Sequence, residues 1–107
     1  MDKPKPFTIS LPTENGYVEI LGSSNCVAMQ AGRVVLLPGQ DCGKHSTGDH
    51  EELIVVLRGE GELEVEGAGR TKISAGMVAY NPPQTEHNVI NTGIEPLAYI
   101  YIVAPTK

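Results

Sequence analysis

Two short windows of the sequence contain all three of its histidines. The first, GKHSTGDHEE, places His45 and His50 close to Glu52, and the second, TEHNV, contains His87. Two neutral imidazoles and one carboxylate, with coordination positions left over, form the donor set that non-haem Fe(II) favours, and Mn(II), Ni(II) and Zn(II) accept the same set. The alternative is that these are ordinary surface or core histidines, and local spacing alone leaves both open.

The first window predicts a hairpin. The tetrapeptide STGD between His45 and His50 has strong turn chemistry, and side chains alternate between two faces along an extended chain. The chain is therefore expected to rise with His45 and Thr47 on one face, to turn, and to return with Glu52. This arrangement places His45 and Glu52 side by side, whereas His87 would come from another strand pair across a barrel.

The elements that must position these residues are short strands. The chain contains 12 glycines and 8 prolines, which interrupt it about every ten residues, and no segment has a sustained apolar period near 3.6. YVEIL predicts a strand that ends at Gly22, and GELEVEG alternates apolar and acidic residues. The segment 25–37 is long for one strand, so Gly32 predicts a bulge or bend. Eight to ten strands without helices predict an all-β sandwich or barrel.

Two strands, ELIVVLR and PLAYIYIV, are apolar at nearly every position, which predicts burial on both faces. In the first of them, Ile54 and Val56 share the face of Glu52, whereas Leu53 and Val55 share the other. A small closed barrel buries only its inner face. The outer face then needs a cover, either the N-terminal arm or a second subunit, and we expect a homodimer.

The length of 107 residues suits one domain, with an N-terminal arm and edge strand at 1–24 and a barrel at 25–107. The arm is expected to become ordered where Phe7, Ile9 and Leu11 dock. The formal net charge is −5 and the basic residues are scattered, so neither a nucleic-acid surface nor an anionic membrane surface is expected.

The expected cellular compartment is inferred from the apolar segments that the sequence does not contain and from its cysteines. Neither an apolar leader at the N-terminus nor an apolar run of about 20 residues occurs, so we expect a cytoplasmic protein. Cys26 and Cys42 do not form a CxxC pair, which excludes a zinc ribbon. Two buried or half-buried thiols are favoured over a single disulfide.

The spacing of the first window resembles the first motif of the cupin superfamily, G(X)5HXH(X)3–4E(X)6G. Gly39, His45, Glu52 and Gly59 match it. Thr47 stands where the second histidine is usual.

The second window resembles the second cupin motif, G(X)5PXG(X)2H(X)3N. Its matching residues are Gly76, Pro82, His87 and Asn91. Gln84 stands in place of the internal glycine. Together the two motifs span residues 39–91, about half of the chain, and the strand pattern on both sides agrees with them.

The resemblance implies a small jelly-roll barrel, the double-stranded β-helix of cupins, with a divalent metal ion held inside by His45, Glu52 and His87. A fourth ligand does not carry over. Thr47 is a poor ligand beside imidazoles and could instead hydrogen-bond a metal-bound water. His50, approaching from the turn, is the candidate replacement.

Other residues are candidates for the cavity or its turns. Arg58 shares the face of Glu52 by period two and could pair with an anionic substrate. Tyr80 could line the cavity or pack in the core or in a dimer interface, as could Tyr99 and Tyr101. Glu51 should point away from Glu52, and Gln84 and Asn91 are expected to shape turns.

The resemblance leaves three classes of function open, because this fold supports many activities. The first is a divalent-metal-dependent enzyme, dioxygenase-like or isomerase-like, that acts on a small organic molecule. The second is a module that binds or senses a small ligand without catalysis, which the missing histidine and the short chain favour. The third is a structural domain, which is disfavoured because three inward polar residues are costly to bury without an ion or partner.

Overall fold

Nine strands build the chain in the computed structural model, which describes residues 3–107. Their bounds are β1 Gly16–Leu21, β2 Gln30–Leu36, β3 His45–Ser46, β4 His50–Arg58, β5 Glu60–Val65, β6 Gly69–Ser74, β7 Val78–Asn81, β8 Glu86–Ile90 and β9 Leu97–Pro105. Residues 3–107 contain no helix, and hence no helix that could cross a membrane. The predicted all-β class and the number of strands are confirmed.

The strands form two antiparallel sheets that enclose one core. The first sheet has the order β1-β2-β9-β4-β7 and the second has the order β3-β8-β5-β6. Both contribute buried apolar side chains, among them Ile54 and Leu97 from the first sheet and Ile73 and Val89 from the second. Burial of these inner faces is the dominant stabilising contribution to the fold.

The N-terminal arm joins the first sheet only at β1, which lies at the sheet edge and pairs with β2. Residues 3–15 form no strand, and the Arg33 guanidinium donates a hydrogen bond to the backbone carbonyl of Glu14. Phe7, Ile9 and Leu11 stay 42–53% exposed, so the expected docking of these side chains does not occur within one chain. Residues 1 and 2 of the predicted arm lie outside the described residues.

The bulge predicted at Gly32 is wrong. The pairing of β2 with β9 is continuous through Gly32, and the irregularity in the neighbouring pair lies in β1, between Glu19 and Leu21. A Cβ atom at Gly32 would come 2.6 Å from Cε1 of Tyr17 and 2.9 Å from Cε1 of Tyr101. Gly32 therefore makes room for two aromatic rings on the inner face of the sheet.

Strand β4 is buried on one face only, so the prediction that both of its faces are buried is wrong for a single chain. Glu52, Ile54 and Val56 point inwards and are buried. Leu53 and Leu57, on the opposite face, are 38% and 42% exposed. Within the described part of the chain, Leu53 and Leu57 on the outer face are therefore only partly covered.

Candidate metal centre

His45 and His87 are direct neighbours across one strand pair. His45 in β3 lies opposite His87 in β8, with ring centroids 4.5 Å apart and planes tilted by 60°. The predicted hairpin pairing is wrong, because β3 before the turn and β4 after it belong to different sheets, but His45 and Glu52 do lie close together. The two imidazoles come from one sheet and Glu52 approaches them from the other.

Glu52 completes a group of three donors between the sheets. Its carboxylate oxygen Oε1 lies 2.9 Å from Nε2 of His87 and accepts a 3.0 Å hydrogen bond from Nδ2 of Asn81. The donor atoms of His45, Glu52 and His87 all lie within 4.8 Å of one another. The structure thus brings together the three residues that the resemblance singled out.

Asn81 is the part of this site that the sequence did not reveal. It lies opposite Glu52 in the pairing of β4 with β7, is 1% exposed, and holds the carboxylate by its amide. The available signal was a polar residue at the end of the short strand VAYN, before Pro82. That signal is weak, because asparagine before proline is also common in turns.

Backbone carbonyls orient both imidazoles. Nδ1 of His45 lies 2.8 Å from the carbonyl oxygen of Gly43, and Nδ1 of His87 lies 3.1 Å from that of Thr85. A carbonyl only accepts, so each Nδ1 carries the proton and each neutral ring presents the lone pair of Nε2. A hydrogen bond from the second nitrogen is the usual way in which proteins fix a metal-binding histidine.

The charge of Glu52 and His87 is coupled. Burial by itself raises the pKa of Glu52, but hydrogen bonds from His87 and Asn81, together with the nearby imidazoles, bring that pKa below its ordinary value. Burial by itself lowers the pKa of His87, but the hydrogen bonds to Glu52 and to the Thr85 carbonyl raise it above the ordinary value. Glu52 is therefore an anion at neutral pH, and a positive charge beside it is favoured.

This donor set fits a divalent ion. Atoms bound to one ion at roughly 2.0–2.2 Å lie roughly 3–4 Å from each other. The 2.9 Å between Nε2 of His87 and the Glu52 carboxylate is close to that range, and all three donors lie within 4.8 Å of one another. With Nδ1–H donated to a carbonyl, the 2.9 Å approach of His87 Nε2 to the carboxylate needs a proton or a metal cation between them. Two imidazoles and one carboxylate also leave positions open for a ligand.

Thr47 lines the same cavity, as predicted, and also has a structural role. Its hydroxyl donates a 2.7 Å hydrogen bond to the carbonyl of Pro82 and accepts a 3.0 Å bond from the backbone NH of Thr85. These bonds tie the turn after β3 to the loop before β8. Thr47 thereby holds the segments that carry His45 and His87 together.

His50 also lines the cavity but lies outside the group of three donors. It is the half-buried first residue of β4, on the same face as Glu52. The sequence offered His50 as the replacement for a fourth ligand, and substitution tests that role.

Replacing His50 with Ala is expected to change the affinity for a divalent ion by less than about threefold, since the three close donors remain. Isothermal titration of the metal-free protein measures this change. His50→Gln, which keeps a polar side chain at the position, is the matched control. A loss of about tenfold or more in both variants would make His50 a ligand.

The structure places Tyr80 and Arg58 outside the cavity, so both were wrong as cavity candidates. Tyr80 lies opposite Leu53 on the outer face, and its hydroxyl donates a 2.9 Å hydrogen bond to Glu51. A register shift between Val56 and Arg58 resets the alternation of β4, which leaves Arg58 exposed. Period two stops predicting the face of a strand once a bulge adds a residue.

Gln84 and Asn91 shape turns, as expected. Gln84 is the one residue other than glycine with a positive φ within residues 3–107, at 54°, which explains why glycine is usual at this position. Its side-chain amide donates to Oδ1 of Asp49 at 2.9 Å. Asn91 is buried and donates to the carbonyls of Leu36 and Glu95, both at 2.8 Å.

The three donors lie on the wall of a cavity of about 530 Å³. Its wall includes Tyr99 and Tyr101, which the sequence left between cavity and core, and Cys42. His45 is exposed, whereas Glu52 and His87 are buried. The site can therefore be reached from solvent on the side of His45.

A family model described as a cupin domain matches residues 32–103, a span that contains all three donors. No curated protein sequence matches the chain. Solved structures agree on the architecture. A protein from Bacillus halodurans is 20% identical, with a TM-score of 0.84 over 97% of this chain and 84% of its own.

Two further solved structures share this architecture. A cupin family protein with a double-stranded β-helix fold from Methanocaldococcus jannaschii is 19% identical, with a TM-score of 0.76 over 99% of this chain and 93% of its own. A predicted oxalate decarboxylase from Thermotoga maritima is 23% identical, with a TM-score of 0.73 over 83% of this chain and 78% of its own. These likenesses concern the fold, and the predicted jelly-roll barrel of double-stranded β-helix type is confirmed.

Proposed function

The chain belongs to the cupin domain family, and on that premise we propose that it is a small enzyme that depends on a divalent metal ion. The substrate is a small organic molecule and the reaction is of the dioxygenase or isomerase kind. One observation supports this best: Nε2 of His87 lies 2.9 Å from the Glu52 carboxylate while the Nδ1 proton is already donated to a carbonyl. A metal cation suits that geometry.

Each residue of the site has a distinct part. When bound, the ion would supply Lewis acidity and open positions for dioxygen or substrate. His45 and His87 would bind it through Nε2, with their rings held by backbone carbonyls. Glu52 would offset part of its charge, and Asn81 keeps the carboxylate oriented. Fe(II), Mn(II), Ni(II) and Zn(II) all suit such a donor set.

Titration of the metal-free protein tests the proposal. Isothermal titration with Fe(II) under anaerobic conditions, and with Mn(II), Ni(II) and Zn(II), is expected to show one ion bound per chain. Oxygen uptake by the Fe(II)-loaded protein, measured with a panel of small phenols and enols, then tests for dioxygenase activity. Failure of all four ions to bind would contradict the proposal.

A binding or sensing module without catalysis is the second candidate. Its support is Thr47, which replaces an expected histidine and uses its hydroxyl in two hydrogen bonds within the protein. Three protein ligands then remain where the family motif offers four. A ligand that binds the metal-free and the metal-loaded protein equally well would favour the module over the enzyme.

We also propose that the chain forms a homodimer through the outer face of β4 and β7. Leu53, Leu57, Val78 and Tyr80 are 38–62% exposed there, next to the free edge of β7; we call them the outer patch. The N-terminal arm bears alternating exposed apolar residues, which suit the outer patch. It also bears two lysines, which suit the Glu51 carboxylate that accepts a hydrogen bond from Tyr80. A second copy of this chain supplies such an arm.

Replacing Val78 with Asp is expected to convert the dimer into a monomer, because the change places a charge in the outer patch. Size-exclusion chromatography with light scattering measures the mass. Ile94→Asp is the matched control, since Ile94 is 94% exposed and lies outside the patch. A wild-type chain that is monomeric at every concentration tested would contradict the proposal.

A cytoplasmic location remains our proposal as well. Cys26 is buried, Cys42 is half-buried, and both are free thiols. Free thiols are typical of proteins in reducing compartments.

A further inference from the structure

The cavity beside the three donors has one polar end and a largely apolar body. His45, Glu52, His87 and Thr47 mark the polar end. The body is formed by side chains from β2, β4, β8 and β9, among them Val34, Leu36, Ile54, Val89 and Val103. A volume of about 530 Å³ accommodates a small organic molecule, and contact with this wall favours an apolar body in the ligand.

The wall also presents aromatic surface and neutral hydroxyl groups. Tyr17 and Tyr101 stack with ring centroids 5.9 Å apart and an interplanar angle of 17°, in the space that Gly32 leaves. Burial raises the pKa of Tyr99 far above its ordinary value. Burial, followed by the hydrogen bond with Tyr17, raises the pKa of Tyr101 likewise. These hydroxyls therefore carry no charge at neutral pH.

The formal charges of the wall are few. Among the described residues that line the cavity, Glu52 bears the one formal charge when the histidines are neutral, and none is a lysine or an arginine. Arg58, the cation that the sequence suggested for this place, lies outside. Arg33 is buried on the opposite face of β2 from Val34, and its guanidinium donates to the carbonyl of Glu14.

These charges limit what the cavity can bind. A divalent ion held with the Glu52 carboxylate leaves one net positive charge at the polar end. A ligand with one negative charge neutralises this positive charge. A neutral ligand leaves the charge to be solvated by water at the open side of the cavity. A dianion would leave one negative charge facing apolar side chains without a partner, which is costly.

We propose that the cavity is selective for small, largely apolar molecules that carry at most one negative charge. The polar group of the ligand lies at the end with His45, Glu52 and His87, and its ring or alkyl body lies against Leu36, Ile54 and Tyr101. This inference rests on the proposed function for the ion at the polar end. It deepens that function by naming the class of substrate and by excluding dicarboxylates.

Two chelating probes test the charge limit in the Zn(II)-loaded protein. Tropolone is flat, largely apolar and chelates as a monoanion, whereas oxalate chelates as a dianion with no apolar body. Isothermal titration measures the affinity of each probe for the Zn(II)-loaded protein. This affinity is then divided by the affinity of the same probe for free Zn(II) in the same buffer. The ratio for tropolone is expected to exceed that for oxalate by at least about tenfold. A ratio for oxalate that equals or exceeds it would overturn the proposal.

A variant at the cavity mouth tests whether the lack of a cation in the wall causes the discrimination against oxalate. Gln30 is exposed and lines the cavity at the start of β2, opposite Val103. Gln30→Arg supplies the missing cation and is expected to raise the oxalate affinity by about tenfold while tropolone changes by less than about threefold. Gln30→Met, of similar length but uncharged, is the reference from which the effect of the added charge is measured for both probes. An equal gain for both probes in Gln30→Arg would contradict the charge argument.

The metal-free protein separates the two proposals. There, phenol is expected to shift the NMR signals of Leu36, Ile54 and Tyr101, whereas oxalate at the same concentration does not. If no ion binds but phenol still does and oxalate does not, the proposed metal-dependent function and the limit of one negative charge fail, while the preference of the cavity for uncharged, largely apolar ligands stands. If Zn(II) binds but oxalate is preferred, the selectivity fails and the metal site stands.

Discussion

His87→Ala is expected to lower the affinity for divalent ions by roughly 100-fold or more, because it removes one of three donors. Substitution of residues that only orient such ligands already costs roughly 10–100-fold. Isothermal titration of the metal-free variant measures the loss. Thermal unfolding with and without metal measures it independently, since a ligand at about 100 times its Kd stabilises a protein by about 2.7 kcal/mol.

The same variant also affects the metal-free fold. His87 is 2% exposed, and without it the buried Glu52 carboxylate keeps only the hydrogen bond from Asn81. We expect a loss of about 1–3 kcal/mol in the free energy of unfolding. The barrel should still form, because the apolar core residues around the cavity are untouched.

His45→Ala separates the two effects. His45 is exposed, so this variant should lose the metal to a similar extent with a smaller loss of stability. Ser46→Ala, at the neighbouring exposed position of β3, is the control and should bind metal as the parent does. If both histidine variants bind the ion as tightly as the parent, the three residues are not the ligands.

Gly59→Ala is expected to destabilise the fold by about 2–5 kcal/mol, the largest stability effect that we predict for a single methyl group. Gly59 has a φ of 80°, and a Cβ atom there would collide with the backbone carbonyl of Pro96 and lie 3.1 Å from Cα of Leu97. Backbone strain contributes about 1–2 kcal/mol and the collision contributes about 1–3 kcal/mol. Chemical denaturation monitored by circular dichroism measures the sum.

Gly76→Ala is the matched control for Gly59→Ala. Its φ is 89°, yet nothing lies within 4 Å of the added Cβ atom, so only the backbone strain of about 1–2 kcal/mol is expected. Both positions match glycines of the family motifs and both have a positive φ, but only Gly59 also lacks room for a Cβ atom. Equal losses in the two variants would show that the approach of Gly59 to residues 96–97 does not limit stability.

Much of this protein follows from local sequence. Glycine and proline spacing determined a chain of short strands, and the alternation of side chains placed Ile54 and Val56 with Glu52 on one face. The two motif windows singled out His45, Glu52 and His87, which the fold brings together. Such properties are local, because the face of a strand depends on period two and a turn depends on a few consecutive residues.

Only the tertiary structure decided which elements meet. The turn after His45 was predicted, but a turn does not determine which sheet the next strand joins, so the partner of His45 proved to be His87 in β8. The bulge that turns Arg58 outwards and the pairing that brings Asn81 to Glu52 depend on the whole sheet. Strand pairing and cavity shape are set by contacts distant in sequence, which local patterns do not encode.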